Sequence, residues 1–208
     1  MSNDLIRGHM KTKIIVLFLL LMTDGVIPGM TVYADSAVPV CTAFFSPFQE
    51  KERGVYRTLL KHCSGSYGDY RKSDVPGHLH AGLDLRGKKA EPVYAVGVGR
   101  VAYQYWIFPN ETVVLEHRLP NGEIIYSAYT HIRDIQVKIG DRVNENTVIG
   151  RLFSREEMKK ARFSSIHLHF EIRKKMDDFG RASYTSMSKK ELDKYCMDPK
   201  IFLGKRMK

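Results

Sequence analysis

The sequence has little cysteine: three residues, Cys41, Cys63 and Cys196, in a chain of 208. Their spacing matches no zinc-knuckle pattern, which argues against a small zinc domain held by cysteine ligands. An odd number leaves at least one thiol unpaired in a monomer, and the spacing leaves the pairing of the other two open. We therefore interpret the three cysteines as structural.

The apolar run from Ile14 to Met22 is short, with nine residues, whereas a helix that spans a bilayer needs roughly 20. Lys11 and Lys13 precede it, and Val32-Tyr33-Ala34 offers the small or apolar residues that a signal peptidase reads. We predict a secretory signal that ends near Ala34 and no membrane span after its removal. The protein is then exported, to the periplasm or to the cell wall and extracellular space.

Acidic residues are outnumbered, with 23 Asp and Glu against 33 Lys and Arg, a formal net charge of +10. A basic exported protein is suited to anionic cell-wall polymers or membrane surfaces, and nucleic acid is not expected in that compartment. The alternative is that the positive charge serves only solubility.

The pattern from Val93 to Arg173 is mainly that of β-strands, short and separated by turns. Asn121-Gly122 is a strong hairpin signal, and residues 137–150 suggest another strand pair around Gly140-Asp141. This pattern predicts an all-β fold of mainly antiparallel sheets, a sandwich or barrel, with a few short peripheral helices. The other strand candidates are Val93 to Ala95, Gly99 to Tyr105, Thr112 to Arg118 and Ile124 to Tyr129.

Three short helices are predicted from their N-terminal signals. Ser46-Pro47 predicts a helix that runs towards Leu60. Ser154 to Glu157 forms a capping box for a helix to about Ala161, and Ser188 to Glu191 begins a helix that ends before Pro199. We predict three segments: an N-terminal extension and signal over residues 1–34, an appendage over 35–63 and the main domain over 64–208.

The most informative stretch is residues 165–173, where apolar residues alternate with His167, His169 and Glu171. A period of two is typical of a strand with one face in the core, so these three side chains share the other face. A lone histidine there would most often be an ordinary polar residue of an amphipathic strand. An H-x-H pair favours a metal site, because neutral imidazole is a common metal ligand.

Three of the other six histidines fall into two further places: His78 and His80, the latter four residues before Asp84, and His131. A catalytic zinc needs about three protein ligands, so some of these histidines would have another role. The sequence contains no H-E-x-x-H motif, so a histidine would have to act as the base.

In order along the chain, His80-x-x-x-Asp84, Tyr129-Thr130-His131 and His167-Leu168-His169 resemble the signature of the lysostaphin-like (LytM-type) zinc peptidoglycan endopeptidases. The resemblance covers roughly residues 64–203 and includes framework segments such as Ser66 to Arg71 and Glu91 to Ala95. It implies one Zn²⁺ per chain, bound by His80, Asp84 and His169. It also implies that His167 and His131 are catalytic and flank the reacting water and the developing oxyanion.

Several residues have two interpretations. His78 is a ligand or a residue beside the site, and Glu171 supports a ligand or ends a strand in water. Tyr67 or Tyr70 assists the oxyanion or packs. An aromatic group either lines a groove or belongs to the core: Tyr103, Tyr105, Trp106 and Phe108.

Two other functions compete with endopeptidase activity. A non-heme iron oxygenase also uses two histidines and one carboxylate, but it generally brings the carboxylate two residues after the first histidine, not four. A non-catalytic LytM-like regulator that binds the cell wall and controls other hydrolases is the second alternative. All the expected ligands and both expected catalytic histidines are present, which favours an enzyme that hydrolyses the peptide cross-links of peptidoglycan. We also expect the protein to be a monomer.

The chain departs from the resemblance between Phe153 and Ser165. Members of that family carry a loop there that is rich in Gly, Ser and Thr, whereas this segment is charged, helical and without glycine. Residues 151–162 contain five basic and two acidic residues, an excess of three positive charges. Cross-links of the diaminopimelate type carry free carboxylates near the scissile bond, so we hypothesise a D,D-endopeptidase for such cross-links.

Overall fold

The computed structural model describes residues 37–72, 77–176 and 188–208. The predicted secretory signal lies outside these residues. Within them, strands are numbered β1 to β13 and helices α1 to α4 in chain order. The strands are β1 Cys63–Gly65, β2 Tyr70–Arg71, β3 His78–Leu79, β4 Leu83–Arg86, β5 Pro92–Tyr94, β6 Gly99–Tyr105, β7 Thr112–Arg118, β8 Ile124–Thr130, β9 Ile132–Arg133, β10 Arg142–Val143, β11 Val148–Leu152, β12 His167–Arg173 and β13 Cys196–Met197; the helices are α1 Tyr56–Leu60, α2 Arg155–Lys160, α3 Lys189–Tyr195 and α4 Pro199–Gly204.

Eight strands form the main antiparallel sheet, in the order β1-β4-β12-β8-β7-β6-β10, and β13 pairs with the end of β12. Strands β5, β11 and β9 form a second antiparallel sheet, and β2 and β3 form a two-stranded ribbon. The predicted fold of mainly antiparallel sheets with few short helices is therefore confirmed. None of the helices in the described ranges is long and apolar enough to cross a membrane.

The alternation along β12 puts its apolar residues into the core as predicted. Leu168, Phe170 and Ile172 are fully buried. They join a single large cluster that includes Tyr129 from the neighbouring strand, whose ring meets Phe170 edge to face. Because the core is packed against one face of the sheet, the opposite face of β12 is left to carry polar side chains.

Two of the predicted helices are confirmed together with their caps. The Ser154 side chain accepts a hydrogen bond from Glu157 N, and the Glu157 carboxylate accepts one from Ser154 N, which completes the capping box of α2. Ser188 caps α3 in the same manner through Glu191 N. These caps depend on residues three apart, so the sequence reveals them directly.

The predicted helix from Ser46 to Leu60 is wrong over its first part, because only Tyr56–Leu60 is helical. Pro47 O accepts a hydrogen bond from Tyr94 N, and the buried Arg53 guanidinium donates to Ser46 O. These contacts hold residues 46–53 as a folded-back loop against β5. Phe44, Phe48 and Leu59 of this region are buried in the main core.

The hairpin at Asn121-Gly122 is confirmed, with Gly122 at φ +84° between β7 and β8. The strand pair predicted within residues 137–150 is wrong. Arg142–Val143 pairs with β6, and Val148–Leu152 pairs with β5 and β9. The turn at Gly140 packs on Val101 through two backbone hydrogen bonds, so long-range pairing replaces the local hairpin.

Candidate metal centre

The register of three neighbouring strands brings the predicted site residues together. On β12, His169 lies opposite Asp84 of β4 on one side and Thr130 of β8 on the other. His131 directly follows β8, and His80 lies in the turn that leads into β4. Residues that are as much as 89 positions apart in sequence therefore meet on one face of the sheet.

The turn that carries His80 lies very close to β12. A Cβ atom at Gly82 would be 2.1 Å from the carbonyl oxygen of Phe170, so only glycine fits there. Within this turn the His80 ring is oriented by a hydrogen bond of 2.8 Å between Nδ1 and Ser66 O. The ring is held with its Nε2 atom facing β12.

The side chains of His80, Asp84 and His169 converge on one point. His80 Nε2 lies 3.0 Å from Asp84 Oδ1 and 2.8 Å from His169 Nδ1, and His169 Nδ1 lies 3.4 Å from Asp84 Oδ1. These are the three described residues whose ligand atoms lie close enough together to hold a metal ion. They are also the three residues that the sequence analysis assigned to zinc.

The hydrogen bonds on the far side of each imidazole fix which nitrogen faces this point. A carbonyl or carboxylate oxygen can only accept, so His80 Nδ1–H donates to Ser66 O, and His169 Nε2–H donates to Glu171 Oε1 at 2.7 Å. In the neutral rings, His80 Nε2 and His169 Nδ1 then present lone pairs to each other beside a carboxylate oxygen. Three converging electron pairs can hold a cation, and two imidazoles with one carboxylate suit zinc.

The electrostatics of His169 and Asp84 also favour a positive charge at this point. Burial alone would lower the pKa of His169, but its hydrogen bonds to Asp84 and Glu171 outweigh burial and raise that pKa to about 9. Burial raises the pKa of Asp84, but hydrogen bonds to His169 and His80 overcome it and hold that pKa far below its ordinary value. The Asp84 carboxylate is thus kept anionic in a largely buried position, where a bound cation would compensate its charge.

His131 and His167 flank this group with their rings 5.1 Å apart. His131 Nδ1–H donates to Pro109 O at 2.8 Å, and His167 Nδ1–H donates to Ser165 O at 3.0 Å. Both neutral rings therefore keep a lone pair on Nε2, and His167 Nε2 lies 3.9 Å from Asp84 Oδ1. The two histidines are arranged as proton acceptors.

The protein keeps both flanking histidines neutral. Burial and then the neighbouring His167 and His169 lower the pKa of His131 to about 3, and burial lowers the pKa of His167. His131 also has a left-handed backbone, with φ +67°, which is uncommon for a residue other than glycine. Strained backbone of this kind occurs often at functional sites.

Comparison with known proteins identifies the family of this chain. The model of peptidase family M23 matches residues 78–181, half of the chain. The chain belongs to peptidase family M23. The predicted LytM-type recognition is thus confirmed, and M23 peptidases are generally zinc-dependent.

Two solved structures of M23 peptidases support the fold. The catalytic domain of lysostaphin from Staphylococcus simulans is 22% identical, with a TM-score of 0.51, and the match covers 72% of this chain and 97% of that domain. LytU is 23% identical, with a TM-score of 0.51, and the match covers 76% of this chain and 90% of LytU. Comparison with curated protein sequences finds no match.

Glu171 is a buried partner of the M23 site, so the alternative that it ends a strand in water is wrong. Its side chain is 3% exposed and lies between His169 and Arg173. The carboxylate accepts from His169 Nε2 and, at 2.5 Å, from Arg173 Nε. It therefore fixes the orientation of His169 and is neutralised by a second buried charge.

The other residues with two interpretations lie around the site or away from it. His78 is buried but does not belong to the group that could hold a metal ion. The Tyr67 hydroxyl donates to Asp193, and Tyr70 is 60% exposed. Trp106 is 59% exposed on the connection between β6 and β7, so it is not a core residue.

An aromatic wall borders the candidate metal centre of this M23 domain. The Phe163 ring meets His131 at 4.6 Å and His167 at 5.3 Å, stacks on Phe153, and Phe153 stacks on Phe108. The sequence analysis considered only Phe108, on the β6–β7 connection, as a groove residue. The spacing in sequence gave no signal for Phe153 and Phe163, which flank α2.

Ion pairs hold α2 beside the wall. Glu157 accepts hydrogen bonds from both Arg133 and Arg151, and Arg151 also pairs with Asp134 at 2.6 Å. These contacts with Arg151 hold the pKa of Glu157 at about 2. The segment that departs from the family pattern is therefore anchored to β9 and β11 and borders the site directly.

Proposed function

We propose that this M23 protein is a zinc-dependent endopeptidase that hydrolyses the peptide cross-links of bacterial peptidoglycan. The observation that carries the proposal is the convergence of His80, Asp84 and His169 beside two neutral histidines whose Nε2 atoms are acceptors. Lysostaphin, one of the proteins with this fold, is an antimicrobial peptidase. The iron oxygenase alternative has no support from the family.

His80 Nε2, Asp84 Oδ1 and His169 Nδ1 would hold the zinc ion. When bound, zinc supplies a Lewis acid that polarises the scissile carbonyl and makes a coordinated water acidic. Ser66 O and Glu171 keep the two ligand imidazoles in the required tautomers. Arg71 Nη2 donates to Asp84 Oδ2 at 2.6 Å and so leaves Oδ1 to the ion.

His167 and His131 perform the proton transfers. His167 Nε2 takes a proton from the attacking water as the water oxygen bonds to the carbonyl carbon, because its Nδ1–H is engaged with Ser165 O and its lone pair is free to accept. It then returns this proton to the amine nitrogen as the C–N bond breaks. His131 Nε2 is likewise an acceptor and becomes a donor to the developing oxyanion only once it has gained a proton. The Phe163 ring packs against both histidine rings and so helps to hold them in place.

We also propose that the substrate is the diaminopimelate-type cross-link, which makes the enzyme a D,D-endopeptidase. Arg151 is neutralised by Asp134 and Glu157, so the local charge of the α2 region comes from other residues. The exposed cations left against Glu156 are Arg155, Lys159, Lys160 and Arg162. Because α2 is anchored beside Phe163, these charges lie near the candidate metal centre. A partly screened cation there would stabilise a bound substrate carboxylate by on the order of 1 kcal/mol.

The remaining proposals follow from this substrate. The protein is exported and acts as a monomer in the periplasm or cell wall, and its basic surface also contacts anionic wall polymers. Residues 1–34 are its extension and signal, 35–63 its appendage and 64–208 its peptidase domain. The three cysteines, which are free thiols in the structure, are not required for activity.

Digestion of purified peptidoglycan tests the proposal. The zinc-loaded chain without residues 1–34 should release uncrosslinked muropeptides, identified by mass spectrometry, and the His167→Ala variant should not. Binding to sacculi without release of any product would reject the enzyme and support the non-catalytic regulator, since members of the family can be inactive.

Comparing two wall types tests the substrate. Diaminopimelate-type sacculi should be digested faster than pentaglycine-type sacculi, and the preference should weaken at high salt. Equal or better digestion of pentaglycine would reject the D,D assignment. A preference that salt does not change would reject its electrostatic cause.

A further inference from the structure

Arg71, at the end of β2, contacts the back of the candidate metal site. Its Nη2 atom donates to Asp84 Oδ2 at 2.6 Å, the oxygen that points away from His80 and His169. Its charge is close enough to act on both His80 and His167. The guanidinium is therefore separated from the other two candidate ligands by the Asp84 carboxylate.

Among the described residues, one N–H donor of this guanidinium has no acceptor. The Nε atom of Arg71 is buried and has no hydrogen-bond partner among residues 37–72, 77–176 and 188–208. Buried N–H groups nearly always have a partner, and a charged donor needs one more than a neutral donor does. The Nε atom itself is shielded from solvent, but the side chain as a whole is 29% exposed, so a molecule in solution can reach the other part of the guanidinium.

The surroundings leave room for this arrangement. A Cβ atom at Gly65 would lie 2.4 Å from Asp84 Oδ2 and 2.6 Å from Arg71 Nη2, so a glycine is needed beside the pair. Asp84 is satisfied as a ligand through Oδ1 and as a partner of Arg71 through Oδ2. Among the described residues, the hydrogen bond from the Arg71 side chain to Asp84 uses Nη2, so the guanidinium keeps donor capacity for a second acceptor that approaches from its exposed side.

We propose that Arg71 is the carboxylate subsite of the active site and sets its preference for a substrate that is anionic next to the scissile bond. This inference rests on the proposed function. In a diaminopimelate-type cross-link, a free carboxylate is attached to the carbon that bears the scissile amide nitrogen, about 2.5 Å from that nitrogen. A group so close to the reacting atoms comes within reach of a guanidinium that already contacts a metal ligand.

The chemistry of arginine suits this role. A planar guanidinium can donate to two carboxylates at once from different N–H groups, and such charge-assisted bonds are strong and directional. Here one carboxylate belongs to Asp84 and the other to the substrate. A neutral polyglycine bridge has no carboxylate at this place, so Arg71 would gain nothing from it.

A purely structural role for Arg71 makes a different prediction. If the residue served only to orient Asp84, its loss would slow every substrate by the same factor. A subsite for the carboxylate makes the loss selective. The ratio of the kcat/KM values for two substrates therefore separates the two roles, even where the variant also weakens metal binding.

The test uses two synthetic cross-linked peptides, one with the free diaminopimelate carboxylate next to the scissile bond and one with that group amidated. Wild-type protein, Arg71→Gln, Arg71→Lys and Arg118→Gln are compared. Arg118 is exposed at the far end of β7, so Arg118→Gln is a control that removes the same charge away from the site. Zinc content is measured for each protein, and kcat/KM is normalised to it.

We expect the wild type to prefer the free carboxylate and Arg71→Gln to lose this preference, with a fall of tenfold or more in kcat/KM for the free peptide only. Arg71→Lys should keep part of it, and Arg118→Gln all of it. Calorimetry on the metal-free proteins should show weaker binding of the free peptide by Arg71→Gln. Equal losses for both peptides overturn the subsite, whereas wild-type protein that cleaves neither peptide overturns the proposed function and the subsite with it.

Discussion

Glu171 offers a sharp test of how the site is built. The substitution Glu171→Gln keeps the shape of the side chain and an acceptor oxygen for His169 Nε2–H but removes the negative charge. In the wild type, that charge lies between His169 at 2.7 Å and Arg173 at 2.5 Å. Both Glu171 and Arg173 side chains are 3% exposed, so solvent screens this pair little.

The expected cost has two parts. Removing one partner of a buried ion pair destabilises a protein by about 3–5 kcal/mol, because the other charge stays in a desolvated place. Loss of a hydrogen-bonded partner of a metal-binding imidazole weakens metal affinity by about 10–100-fold. Because glutamine still accepts from His169, we expect the lower end of that range for Glu171→Gln and the upper end for Glu171→Ala.

Urea unfolding of the metal-free protein measures the first part, and competition with a zinc-binding dye measures the second. Glu116→Gln is the matched control, because Glu116 pairs with Arg100 at 3.2 Å on the same sheet but its side chain is 17% exposed and that of Arg100 is 32% exposed. A pair of that kind contributes at most about 1 kcal/mol. If Glu171→Gln changes the free energy of unfolding and the zinc affinity no more than Glu116→Gln does, the reasoning from burial is refuted.

Three further predictions separate ligands, proton carriers and structural histidines. His169→Ala should abolish zinc binding in dialysis and metal analysis, and a fully loaded variant would reject the ligand set. His167→Ala and His131→Ala should retain zinc and fold but lose turnover by about 10²-fold or more, and loss of zinc from either would reverse the roles. Complete burial lowers the pKa of His117 from 6.5 to about 4, so the unfolded chain binds a proton that the folded chain rejects, and stability should fall by roughly 3 kcal/mol as pH drops from about 6.5 to 4. Urea titrations should show a shallower decline for His117→Gln, and an unchanged slope would contradict this.

Local patterns in the sequence were enough to predict β12, the hairpin at Asn121-Gly122 and the caps at Ser154 and Ser188. Each depends on residues two to four positions apart, through strand alternation, a left-handed turn or a bond between a side chain and a nearby backbone N–H. The assignment of His80, Asp84 and His169 to one metal came from the family resemblance. The structure now brings these three side chains together.

Other features depended on which distant segments become neighbours. The helix expected from Ser46 is displaced by contacts with Tyr94, and the strand pair expected around Gly140 gives way to pairing with β6 and β5. Local signals compete with long-range partners that periodicity does not reveal.

The sequence alone determined the fold class and placed His167, His169 and Glu171 on one face of a strand, because alternation is a property of the strand itself. Only the tertiary structure decided that Glu171 is buried against Arg173, that Arg71 contacts Asp84 and that Phe163 covers the flanking histidines. Burial, ion pairing and ring contacts depend on what packs against a side chain. Arg71 and Phe163 reach their partners from other segments of the chain. Arg173 lies two residues from Glu171 on β12, but the burial of this pair depends on the segments that cover it.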